Sequence, residues 1–150
     1  MQFVRGSLLP QVRGMSRFVF ITGVYNAVLA VSLLFPPMYK SIGLNIPAPI
    51  WGWLLGAFLF YTSAVLIYAS KDLHRCASLV YWEALLRYAA ALLLILAGLF
   101  GDLGLIAVPL GTADLLIGLV YMFGLPHELG IAHSALIWNE ANRAGRVKAG

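Results

Sequence analysis

The sequence predicts an all-α, polytopic membrane protein, an antiparallel bundle of four transmembrane helices forming one domain over residues 1–150. Three observations carry this. The chain is 61% hydrophobic and only 11% charged, with a mean hydropathy of +0.87, a balance outside the range of soluble domains. Four long apolar runs are separated by segments rich in Pro, Gly or charge. Each run reaches the roughly 20 residues that a helix rising about 1.5 Å per residue needs to cross a hydrocarbon layer about 30 Å thick.

Residues 1 to 17 carry Arg5, Arg13 and Arg17 among Gly6, Pro10 and Gly14, and read as a basic, weakly structured arm. The run Phe18 to Phe35 is longer than the apolar region of a cleaved signal and ends in Phe-Pro-Pro, so it is read as a retained first span. Pro36 to Pro49 holds four prolines and is expected to be an irregular outer loop, because each proline removes a donor and disfavours helix in the residue before it. The second span covers about residues 50–70. Trp51 and Trp53 at its start and Tyr68 at its end suit the two membrane interfaces, while Gly52 and Gly56 offer a surface for close helix approach.

The charged turn Lys71 to Arg75 makes the second and third spans antiparallel neighbours. The third span, about residues 76–100, ends in the glycine-rich turn around Asp102. The fourth covers about 105–125; Pro109 sits near its start, and Pro126 is expected to stop it. In the tail, residues 126–150, positions 128 to 142 are read as a short helix lying on the membrane surface, where Trp138 and the terminal bases would suit the depth.

The bases fall unevenly about these spans. Arg5, Arg13, Arg17, Lys71, Arg75, Arg143, Arg146 and Lys148 share one side, and Lys40 stands on the other. By the positive-inside rule both termini are expected in the cytoplasm.

Charge inside the spans is the strongest functional signal. Glu83 and Arg87 lie four apart in the third span, hence on one helix face. Counted by depth, Asn26, Tyr61 with Thr62, Arg87 and Asp114 fall near the middle of the four spans, which brings a hydrogen-bonding group from every helix to one level. Gly23, Ala27 and Ala30 accompany Asn26, and Gly111 and Gly118 accompany Asp114; such small faces pack against other helices and direct the polar layer inward. An ionised group at this depth costs at least about 2.5–3.5 kcal/mol, so intramembrane charges seek partners and mark functional sites. Two readings stand side by side. Glu83, Arg87, Asp114, Asn26 and Tyr61 are structural glue fixing helix register, or they form a ligand or proton site in which the second acid shares a proton.

Other chemistry finds little support. Cys76 is the sole cysteine, which leaves no CxxC pair and no thiol ligand set. His127 and His133 are six apart and point to different sides of a helix, so no metal is assigned to them, and His74 is read as a turn residue. No phosphate loop, Ser-His-Asp arrangement or HExxH motif occurs, so no catalytic residue is assigned and an enzyme is the less favoured class; no cofactor is identified. The bases are scattered over membrane-flanking segments, which gives nucleic acid no binding module.

Gly23-Val-Tyr-Asn26 in the first span, the loop PPMYKSIGL, the segment WLLGAFLFYTSA closing in YASKD, and two further spans joined by a Gly-rich turn resemble the DoxX-like group of small four-helix bacterial membrane proteins. The resemblance covers roughly residues 17–125. It implies an up-and-down bundle in the bacterial inner membrane and a role as a quinone-side subunit or as a partner of other membrane proteins. The function expected first is an accessory or assembly subunit of a larger membrane complex, in contact with lipid and with a membrane-protein partner or a second copy. The alternative is a module handling a quinone, a lipid or a proton at the Glu/Arg/Asp cluster.

Overall fold

The structure, a computed structural model, describes residues 12–138. Every regular element among them is a helix: α1 (Val12–Leu34), α2 (Pro36–Ser41), α3 (Pro49–Ala69), α4 (Leu73–Phe100), α5 (Ala107–Leu129) and α6 (His133–Ile137). Helices α1, α3, α4 and α5 are the four long and apolar enough to cross a membrane, and they form an all-α bundle. Arg5, Arg143, Arg146 and Lys148 lie outside the described residues.

Several boundaries differ from the sequence reading, each for a local reason. Helix α1 begins at Val12, so the second half of the basic arm is helical; Arg17 stays exposed on it, since a long side chain can carry its charge away from an apolar stem. Pro36 and Pro37 occupy the first turn of α2, where a missing N–H has no partner to lose, and the loop is therefore partly helical. Asp72 caps α4 by accepting from the Arg75 N–H at 3.3 Å, which shortens the turn after α3. Pro126 does not stop α5. The helix passes through it and ends at Gly130, whose left-handed φ of 63° turns the chain and sends its N–H to the Pro126 carbonyl.

The four long helices pack as two pairs, α1 with α3 and α4 with α5, while α3 and α4 touch far less despite the short turn between them. Glycine sets both close approaches. A Cβ on Gly52 would stand 2.9 Å from the Leu33 carbonyl oxygen and one on Gly56 3.0 Å from that of Ala30; on Gly111 it would come within 2.8 Å of the Ala91 carbonyl oxygen. Any side chain there would push the helices apart, so the packing that holds each pair depends on its absence.

Two apolar clusters close the ends of the bundle. At the end carrying Lys71 and Arg75, Val19, Leu66, Val80, Tyr121 and Leu125 are fully buried, and Leu136 of α6 packs among them. Tyr81 Oη meets His133 Nδ1 at 3.1 Å, and Trp82 Nε1 donates to the Ile137 carbonyl at 3.3 Å. Of the tail helix expected over 128–142, Glu128 and Leu129 belong to α5 and His133–Ile137 forms α6, anchored to α4; residues 139–142 lie outside the described residues.

The opposite end is roofed by α2 and the segment after it. Tyr39 and Leu44 are buried there with Leu33 and Ala107, and the Asn45 N–H donates to the Leu103 carbonyl at 2.8 Å, tying the α2–α3 connection to the α4–α5 turn. Gly104, at φ 98°, presses against the Gly43 carbonyl with no room for a Cβ. Gly104→Ala is expected to destabilise the bundle by about 1–3 kcal/mol through left-handed strain and collision. Thermal unfolding in detergent checks this, and an unchanged midpoint would contradict it.

Candidate functional site

Arg87 of α4 organises the layer between the two end clusters. Its side chain is 4% exposed, and each guanidinium nitrogen is engaged. Nε donates to Glu83 Oε2 at 2.9 Å, Nη1 to Asp114 Oδ1 at 2.5 Å, and Nη2 to Asn26 Oδ1 at 3.0 Å. The guanidinium carbon also stands 5.8 Å from the centre of the Tyr121 ring, a cation–π distance. A planar fork places its donors on three nitrogens in fixed, separated directions, which suits partners on three helices, whereas the three donors of a lysine share a single nitrogen.

The network continues into the other helices. Asn26 Nδ2 donates to Thr62 Oγ1 at 3.2 Å, and Thr62 in turn donates to the Leu59 carbonyl. The Tyr121 hydroxyl is paired with Thr22 Oγ1. Helices α1, α3, α4 and α5 therefore all contribute, and every fully buried side-chain nitrogen or oxygen among the described residues has a partner. That satisfaction is what makes a charged layer tolerable in a low-dielectric interior.

Of the five residues singled out from the sequence, Glu83, Arg87, Asp114 and Asn26 come together. Tyr61 does not: it is 67% exposed on the outer face of α3. Successive helical residues point roughly 100° apart, so Tyr61 and Thr62 cannot both face inward, and the smaller Thr62 fits the interhelical space. Thr22 and Tyr121 were missed. Their spacing was the available signal, since Thr22 lies one turn before Asn26, and Tyr121 lies two turns after Asp114 on the face of Gly111 and Gly118.

The remaining polar candidates engage different elements. His127 is exposed, His133 pairs with Tyr81, and Glu128 Oε2 accepts from the Met15 N–H at 3.3 Å near the start of α1. His74 is exposed and Cys76 is buried in the end cluster.

Beside the charged layer, toward the roofed end, the two helix pairs leave a cavity of about 360 Å³. Its walls are apolar, with Leu29, Leu55, Phe58 and Leu94 among them; Asn26, Asp114 and Tyr25 stand at its inner end, and Leu44 and Ile46 close its top. Trp51, Leu55, Phe58 and Leu93, all at least 45% exposed, stand along the α3–α4 gap and give it an opening on the flank of the bundle. A smaller annex of about 30 Å³, room for one water, extends between α3 and α4 past Thr62 to Glu83 and Arg87. Asp114, 19% exposed, lines both spaces and is the least buried member of the ion cluster.

No family model, curated protein or solved structure matches this chain. Fold and site together define an all-α bundle with four helices of membrane-spanning length, an ion cluster of two carboxylates on one guanidinium, and an apolar cavity ending on it.

Proposed function

We propose that this protein is an intramembrane binding module for a small amphiphile of the quinone or lipid class, with the apolar body in the cavity and the polar head beside Asp114. The observation that carries this is the cavity itself. Its volume lies within the range of ligand sites, about 300–1,000 Å³, and its apolar walls converge on a few polar groups, as such sites do. Packing required only for register would have filled that space, since an empty apolar void forfeits contacts on every side. The flank opening favours a molecule that arrives through the membrane.

The resemblance to the DoxX-like group agrees with this reading, and with it a bacterial inner-membrane location with both termini cytoplasmic, favoured by the distribution of bases. The accessory-subunit role is a second reading, and Tyr61 favours it. Close to the midpoint of α3, its hydroxyl faces outward with no hydrogen-bond partner among the described residues. A hydroxyl left so in hydrocarbon is costly, and a partner helix or second copy would satisfy it.

Native mass spectrometry of the protein released from nanodiscs containing decylubiquinone and defined phospholipids tests the binding reading. One retained amphiphile per chain is expected, lost when Leu94 is replaced by Trp. Bare protein under all conditions would overturn it.

A further inference from the structure

The unfilled hydrogen-bonding capacity at the inner end of the cavity specifies the head group. Three polar side chains reach this end, and they differ in what they have left to give. Asn26 is spent, its oxygen taken by Arg87 and its nitrogen given to Thr62. Asp114 uses Oδ1 for Arg87, and its other carboxylate oxygen has no partner among the described residues. Tyr25, half-buried, makes no hydrogen bond among the described residues, though its hydroxyl lies near enough to Asp114 and Arg87 to feel their charges.

The site therefore offers one anionic acceptor and one hydroxyl that can donate. An ionised carboxylate can only accept, so the group beside it must bring a hydrogen. Glu83 and Asp114 against Arg87 also leave one excess negative charge when ionised, which repels a carboxylate or phosphate head at short range. From this we infer that the cavity selects an amphiphile with a neutral hydroxyl head, which donates to Asp114 and accepts from Tyr25, over one with an anionic or acceptor-only head. The inference rests on the binding reading above. A reduced quinone ring and a long-chain alcohol share this chemistry, and the two differ only in the body that the apolar walls must hold.

Four probes separate these cases on the intact protein in nanodiscs at pH 8, read by native mass spectrometry over a concentration series: dodecanol, dodecanoate, decylubiquinol and decylubiquinone. Dodecanol is expected to bind at least about tenfold more tightly than dodecanoate, and decylubiquinol about tenfold more tightly than decylubiquinone, the scale of a hydrogen bond to a charged group. The tighter of the two hydroxyl probes identifies the body. Asp114→Asn, which keeps an oxygen for Arg87 and adds a donor, is expected to reduce the decylubiquinol preference to about twofold or less. Tyr25→Phe should weaken all the hydroxyl and quinone probes by a similar factor and leave the preference intact. Should Asp114→Asn fail to fold, the preference of the unmodified protein and the Tyr25→Phe result still decide. Equal affinities within each pair, or tighter dodecanoate, would overturn the selectivity while leaving binding in place; no binding by any probe would remove the binding reading itself.

Discussion

Replacing Arg87 with Met is expected to destabilise the bundle by about 3–5 kcal/mol, because it strands two carboxylates that the guanidinium now holds, Glu83 buried and Asp114 partly so. The consequence should be a large loss of folded protein on extraction and a lower tolerance to added SDS in mixed micelles. A change below about 1 kcal/mol would contradict this and would mean that Glu83 and Asp114 find water or protons at little cost through the annex and the cavity. The informative companion is the triple replacement Glu83→Leu, Arg87→Met, Asp114→Leu. Removing every charge of a buried cluster is often neutral or stabilising by about 1–4 kcal/mol, here less the partner lost by Asn26. The triple variant should therefore fold, yet bind the hydroxyl probes about tenfold more weakly and without preference over their acceptor-only counterparts. A retained preference for the hydroxyl probes there would reduce the cluster to a fastening between helices.

Ala90→Trp is expected to abolish binding and to leave stability unchanged or slightly raised. Ala90 is half-buried on α4 and lines both the cavity and the annex, opposite Phe58 and Leu59 of α3. A ring at this position enters space now empty and gains contacts that an alanine cannot make, a change that commonly adds about 0.5–2 kcal/mol. Dodecanol titration against the variant measures the first effect and SDS unfolding the second. Undiminished affinity would move the ligand out of the cavity, whereas a severe loss of stability would show that the space is smaller than its walls describe.

Much of this architecture was legible in the sequence because lipid imposes a simple rule. Length and apolar character locate a span, and a charge within it must face inward. That rule found all four long helices, brought Asn26, Arg87 and Asp114 to one level, and set Glu83 one turn from Arg87 on the same face. Where two polar residues share a depth, as Tyr61 and Thr62 do, depth alone cannot say which faces the interior. Proline was a poorer guide than its reputation. Pro36 and Pro37 open a helix and Pro126 lies inside one, since a single missing donor is tolerated where the first turn or neighbouring contacts absorb it. The cavity left no trace in the residue pattern. It arises from the separation of two helix pairs and from the roof that Tyr39, Leu44 and Asn45 build across them, and these are distances between elements rather than properties of any one.

The pairing of the helices also bears on how the chain is assembled. Both ion pairs of Arg87 are made within the α4–α5 hairpin, whose helices are joined by a short turn and seated on Gly111, so that hairpin can bring its charges together by local contacts, before the halves meet. No ion pair then remains to be made with α1: it is joined by Asn26 accepting from Arg87, by Thr22 with Tyr121, and by the Met15 N–H donating to Glu128. The bundle is in this sense two hairpins fastened by a latch. The costly neutralisation of charge belongs to the making of one half, and the docking of the halves is left with single hydrogen bonds.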